Sequence, residues 1–340
     1  MNNCSFHFAF ASDEKFILQL QVSVLSLLKS SVGIADTQYI HVLDCGISEI
    51  SWDRVQNKLN SFAESHLVKC KVTRHLIDMT LFEKFRKWNT SKATYARLLL
   101  PEILEGVRYC VYSDCDLLFF ENPWRLVDQL KMANVAVLGH RNPVGRDGNT
   151  VDEKWFLDHQ VPYNKASYFC AGLIAMDLDK FRKPGVQDSM FKFLGEHADV
   201  VSADQSALNW CFRNDSALAS DGWGVFPAEC FGDKYDIFAI HYSGGGPWKA
   251  VSSWYELVMY ERVNDIWLLF AEKTVGGNLR QGRVSFRVKA VGWLASIVTR
   301  FVILARIRMP WVNDYIHEAN DVFFHRKNLI LAEQKLIRSL

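Results

Sequence analysis

The sequence lacks most of the signatures that would fix a function at sight. It has no CxxC pair, so zinc ribbons and thioredoxin-type redox sites have no support. No Gly-rich P-loop and no GxGxxG lies near the first strand-like segment, which argues against P-loop kinases and dinucleotide enzymes. Residues 1–10 (MNNCSFHFAF) have neither a charged n-region nor a long apolar h-region, so no secretory signal is expected. Between Ala290 and Ala305 the only charge is Arg300, but sixteen residues fall short of the ~20 needed to span a bilayer. Excess charge is also missing. Thirty-nine Lys and Arg face 38 Asp and Glu, a formal charge of +1, whereas a general nucleic-acid binder shows a basic excess.

What is present is ordinary for a folded protein. Hydrophobic residues make up 49% and charged residues 23% of 340 positions, enough for one large domain or two small ones. The eight cysteines allow four disulfides on number alone. A chain of this length needs no staples, so reduced thiols and a cytosolic setting are expected.

Apolar runs alternate with helix-like stretches. Residues 6–11, 39–43, 68–72 and 108–113 read as strands, and 17–29, 52–64 and 94–104 as helices. This alternation predicts an α/β fold with a mainly parallel sheet flanked by helices, which takes ligands outside the carboxyl ends of its strands. Residues 139–166, polar and rich in Gly and Pro, read as loops. Residues 168–176 and 238–242 read as later strands, and 254–273 as a helix. Charge is uneven along the chain. Residues 279–340 carry eleven Lys or Arg against four acids, a tail of +7 on a body of −6.

The most informative segment is residues 108–123, RYCVYSDCDLLFFENP. An apolar strand runs into Asp114, Cys115 and Asp116. In an extended chain, residues i and i+2 share a side, which places the two carboxylates roughly 7 Å apart at Cα. Two such carboxylates repel unless a cation lies near, and hard oxygen ligands favour Mg²⁺ or Mn²⁺. The alternative is a pair of exposed loop acids. His241, at the end of a later strand, can complete such a site or serve as a loop or core histidine.

Seven motifs in order resemble the retaining glycosyltransferases of family 8, in their bacterial lipopolysaccharide branch. They are Phe10-Ala11-Ser12-Asp13; His41-Val42-Leu43-Asp44 with Gly46-Ile47-Ser48; Thr94-Tyr95-Ala96-Arg97-Leu98; Tyr112-Ser113-Asp114-Cys115-Asp116; Phe169-Cys170-Ala171-Gly172; Asp204-Gln205-Ser206-Ala207-Leu208-Asn209; and His241-Tyr242 with Gly244 and Pro247-Trp248. The resemblance covers about residues 5–255. It implies a GT-A fold over residues 1–250, with 251–340 as a helical, basic C-terminal region. It further implies transfer of galactose or glucose from a UDP-hexose to a glycolipid or oligosaccharide hydroxyl. Asp114, Asp116 and His241 would hold Mn²⁺ or Mg²⁺. Ala11 and Asp13, with Lys15, would contact uracil. Arg97 would approach the donor, and Cys115, Cys170, Ala171, Gly172 and Gly244 would line its site. Asp204 would bind sugar hydroxyls, and Gln205 would lie near the anomeric carbon. Two positions depart from the family pattern: Cys170 stands where Asn is usual, and the lysine follows Pro247-Trp248 as Lys249 instead of preceding it.

Blander readings stand beside these. Asp13 and Asp204 suit helix N-caps, Arg97 suits a surface ion pair, and Trp248 suits packing. The basic tail, with Trp293, Phe301 and Trp311, predicts a peripheral contact with an anionic inner-membrane surface on its cytoplasmic side. Its basic residues do not gather on one helical face, and packing of residues 284–309 on the body is the alternative. A family 8 transferase acting on a protein or peptide, and a non-catalytic sugar-nucleotide-binding protein, are the competing functions.

Overall fold

The computed structural model describes residues 5–87, 91–142, 150, 152–243, 246–281, 283–304, 318–319, 321–323 and 325–337. The chain forms two compact units, Met1–Gly224 and Val225–Leu340.

In chain order the first unit contains β1 Ser5–Ser12, α1 Ile17–Ser30, β2 Thr37–Asp44, α2 Glu49–Ser65 and β3 Cys70–Leu76. It continues through α3 Leu100–Ile103, β4 Tyr109–Ser113, β5 Leu117–Phe119, α4 Arg125–Ala133 and β6 Val137–Arg141. It ends with α5 Glu153–Asp158, β7 Phe169–Asp177, α6 Leu178–Phe181, α7 Val186–Glu196, α8 Ala203–Cys211 and β8 Ser216–Leu218. Seven of these strands form one sheet, in the order β3-β2-β1-β4-β7-β6-β8. β1 pairs in parallel with β2 and β4, β2 with β3, and β6 with β8, while β7 runs antiparallel to both β4 and β6. Strand β7 is buried along all nine residues, so it reads as one apolar run (FCAGLIAMD) rather than an alternating one.

The mainly parallel α/β expectation holds, and the elements differ in detail. Residues 94–104 are not one helix: a 3₁₀ turn at Ala93–Leu99 precedes α3, with Pro101 in the first turn of α3. Residues 139–166 are not all loop. Residues 139–141 complete β6 and residues 153–158 form α5. Gly139 belongs in the strand for a packing reason: a Cβ there would stand 2.6 Å from the Phe169 ring.

On one side of β1, β2 and β3 three imidazoles form a ladder. His7 Nδ1 lies 3.0 Å from His41 Nε2, and His41 Nδ1 lies 3.1 Å from His75 Nε2. Burial, with His7, His75 and Lys71 nearby, pushes the His41 pKa down to about 3.

The second unit contains β9 Ala239–His241, α9 Trp254–Thr274, α10 Phe286–Leu304 and α11 Lys327–Ile337. Two isolated parallel bridges tie its segments: Val225 bridges Ile240, and Val251 bridges Val284. Among the described residues the seven cysteines are free thiols, and no helix is long and apolar enough to cross a membrane.

Candidate active site

The site residues of the first unit gather at the carboxyl ends of β1 and β4 and beside β7. Asp114 follows β4 directly, and its backbone N–H donates to Gly172 O at 2.7 Å, locking the turn onto β7. The chain turns at Cys115 and Asp116 instead of continuing extended. The two carboxylates still converge, with an oxygen of each within 4.8 Å of the other. Cys115 is turned away from them. Its thiol donates to Ala11 O at 3.2 Å, and burial pushes its pKa well above the usual thiol range.

Arg97 is not a surface residue. It is 2% exposed, and its guanidinium stacks 4.2 Å from the Tyr112 ring. Its Nη2 donates to Asp114 Oδ1 and to Thr94 Oγ1, both at 2.8 Å, and its Nη1 donates to Ala171 O. Its Nε lies 2.9 Å from Asp204 Oδ2 but is aligned on Thr94 O at 3.0 Å, so the contact with Asp204 is an ion pair without a hydrogen bond. Burial works against the Arg97 charge, but Asp114 and Asp204 outweigh it and raise its pKa. Tyr112 OH also donates to Asp114 Oδ1, at 3.0 Å. Thr94 and Tyr112 are thus structural members of the site; both stood inside its sequence motifs, but only the fold reveals their contacts.

Asp204 does not cap α8; Ser202 occupies that position, and Ala203 between them takes φ +49°. A left-handed alanine costs about 1–3 kcal/mol and marks a constrained turn. The Asp204 carboxyl is 3% exposed and accepts from Thr94 Oγ1, and burial raises its pKa to about 6 against the pull of Arg97. Gln205, next in sequence, is held at both ends of its amide. Its Oε1 accepts from Ala171 N–H at 3.0 Å, and its Nε2 donates to Asp152 Oδ2 at 3.1 Å. Cys170 is buried on β7, opposite His140 of β6 in the sheet register, with its sulfur within 4.8 Å of an imidazole nitrogen.

Asp13 does cap the turn at Glu14–Phe16. Its Oδ1 accepts from Lys15 N–H at 3.0 Å and its Oδ2 from Ser91 Oγ at 2.9 Å. Lys15, within that turn, is exposed, and Ala11 is half-buried at the end of β1.

In the second unit, His241 ends β9. It is 2% exposed, its N–H donates to Val225 O at 2.9 Å, and its ring lies 5.3 Å from that of Phe226. Lys249 is exposed, its N–H donates to Gly246 O at 3.1 Å, and its carbonyl accepts from Arg283 Nε at 3.0 Å. Trp248 packs 5.4 Å from Trp267. Gly244 lies outside the described residues.

Solved structures define the class first. The galactosyltransferase LgtC, solved with donor and acceptor sugar analogs, superposes with a TM-score of 0.57 at 21% identity, over 72% of this chain and 89% of that one. The bifunctional glycosyltransferase WbbM gives 0.61 at 17% identity, over 81% and 50%. The fold is therefore GT-A. Residues 7–252 match the family described as Glycosyl transferase family 8, and the chain belongs to that family. Its relatives include General stress protein A of Bacillus subtilis (strain 168), 23% identical over 64% of this chain and 70% of that protein. A putative glycosyltransferase of Haemophilus influenzae (strain ATCC 51907 / DSM 11121 / KW20 / Rd) is 22% identical over 65% and 63%. The protein is a glycosyltransferase, taking a nucleotide-sugar donor and a sugar acceptor.

Proposed function

We propose that the protein transfers a hexose, galactose or glucose, from UDP to a hydroxyl of a lipopolysaccharide core or similar glycolipid, with retention at the anomeric carbon. The observation that carries this reading is the convergence of Asp114 and Asp116 beside a buried Arg97 at the carboxyl end of β4. Arg97 and Tyr112 donate to Asp114 Oδ1, which orients that carboxylate as a ligand must be. The two carboxylates are hard donors suited to Mn²⁺ or Mg²⁺, and the family resemblance makes His241 the third ligand. Such an ion supplies charge neutralisation at the departing diphosphate.

The chain's own residues do the rest. Ala11, Asp13 and Lys15 stand at the end of β1, where the uracil would be read. Arg97 holds Asp114 and Asp204 in fixed relation while contributing a buried positive charge under the donor. Asp204 accepts sugar hydroxyls. The Gln205 amide is neutral and a poor nucleophile, so the acceptor attacks from the face the phosphate leaves, and the departing phosphate oxygen takes its proton. A covalent sugar trapped on Asp204 would contradict this route. Cys170, a weaker hydrogen-bond partner than Asn, narrows what the donor sugar can present. A panel of UDP-sugars tested for hydrolysis with Mn²⁺ decides the donor; turnover of none of them would overturn the reading.

The acceptor points to an anionic membrane surface on the cytoplasmic side of the inner membrane. Helix α10 supports this. Gly292 faces α9, where a Cβ would meet Leu257 at 2.8 Å. The far side leaves Trp293, Leu294, Ile297, Val298, Phe301 and Leu304 between 48% and 72% exposed. The helix has Arg287, Lys289 and Arg300 and no acid. Trp311 lies outside the described residues.

A further inference from the structure

We propose that Asp152 is a positioning residue that sets the orientation of the Gln205 amide; this rests on the reading of Gln205 as a donor-site residue.

Asp152 stands immediately before α5, at the N-cap position, where an aspartate ordinarily accepts hydrogen bonds from the first helical amides. It makes no such bond. Its side chain is turned into the protein instead, and the residue is fully buried. Its Oδ2 accepts two hydrogen bonds, from Tyr168 OH and from Gln205 Nε2. Its Oδ1 is buried with no hydrogen-bond partner, and among the described residues no Lys, Arg or His pairs with it. A buried carboxylate without a counter-ion is unfavourable. Capping α5 from the surface would avoid that cost, so the inward position calls for a use.

The chemistry of the two ends of Gln205 supplies one. A carboxylate only accepts, so it takes the amide's Nε2 end; a backbone N–H only donates, so Ala171 takes the Oε1 end. A flipped amide would set oxygen against oxygen and N–H against N–H, losing both bonds. Asp152 and Ala171 therefore select one orientation of the group, with Tyr168 also within hydrogen-bond reach of the amide, leaving one Oε1 lone pair for a substrate. Tyr168 OH pins the carboxylate, and burial beside Asp152 raises the tyrosine pKa far above its usual value, so the phenol remains a donor. The platform beneath is rigid, since Asn209 on the same helix grips Phe169 N–H and O at 3.0 and 2.9 Å.

The test compares D152A, D152N, Q205A and the D152A/Q205A pair, using the UDP-sugar that the wild type turns over. D152A is expected to lower kcat about 10- to 100-fold, with the donor KM within about threefold, because it misplaces a group without removing donor contacts. D152N retains an acceptor oxygen and is expected to recover most of that loss. In the Q205A background D152A is expected to change kcat by less than about twofold, since nothing remains to orient. An unchanged kcat in D152A, or the same fold-loss in both backgrounds, would overturn the proposal. A second readout needs no turnover. With ¹⁵N-labelled glutamine, the Gln205 side-chain amide should exchange slowly in the wild type and in D152N, and rapidly in D152A. Should D152A not fold, rapid exchange in the wild type would itself refute the proposal, and slow exchange in the wild type with an altered amide shift in D152N would support it. If no UDP-sugar is turned over, the functional reading fails, while the orientation claim is decided by this exchange measurement.

Discussion

Arg97 Nη2 lies 2.8 Å from Asp114 Oδ1, deep under the site rather than across its mouth. The same guanidinium sits against Asp204 and the carbonyl of Ala171, so one buried cation ties β4, β7 and α8 together. A lysine offers one point charge and lacks the planar fork that reaches all three.

Arg97→Lys is therefore expected to damage fold and activity together. Breaking a buried pair costs about 3–5 kcal/mol, and UDP release should fall at least about 100-fold. Thermal melts beside UDP-release rates check this. A lysine variant with wild-type melting and rate would show that Arg97 only fills space.

Acid should act on this protein through two groups with opposite sign. The His41 pKa is depressed from 6.5 to about 3, so the native state refuses a proton that the unfolded chain accepts. Its contribution is full above about pH 6.5 and is lost as pH falls toward 3. The Asp204 pKa is raised from 3.8 to about 6, so the native state keeps a proton that the unfolded chain releases. That contribution is present below about pH 4 and is lost as pH rises through 6. Urea midpoints between pH 4 and 7 should show a shallower acid loss in His41→Asn and a steeper one in Asp204→Asn. Parallel curves for all three proteins would contradict these assignments.

How much of this was legible in the sequence follows from which interactions are local. The β-α alternation follows from apolar periodicity, and the strand running into Asp114 and Asp116 is a contiguous string. The strand end at 139–141 was hidden because Gly139, which reads as a turn residue, is there to make room for Phe169, thirty positions away. Arg97 was legible as part of a motif, but its burial depends on Asp114, Asp204 and Ala171, which only the fold brings together. Asp152 carried no signal at all: a lone acid in a polar segment looks like solvent-facing loop until Tyr168 and Gln205 are folded against it.

The outward side of α10 gives a membrane prediction independent of catalysis. Trp293→Ser with Phe301→Ser removes two aromatic rings from that face, each 65% exposed. Sedimentation with vesicles containing anionic lipid should drop at least about tenfold, and added salt should weaken what remains. Unchanged binding would place the contact elsewhere, and absence of binding by the wild type would remove it.

The central claim is that Asp114 and Asp116 hold a divalent ion against a UDP-sugar. Its most direct test is the rate of Mn²⁺-dependent UDP release from the wild type and from Asp116→Asn. Wild-type release should stop with EDTA and return with Mn²⁺, and the variant should be at least about 100-fold slower at the same metal concentration. Equal rates for the two proteins, or wild-type turnover indifferent to the chelator, would contradict the claim.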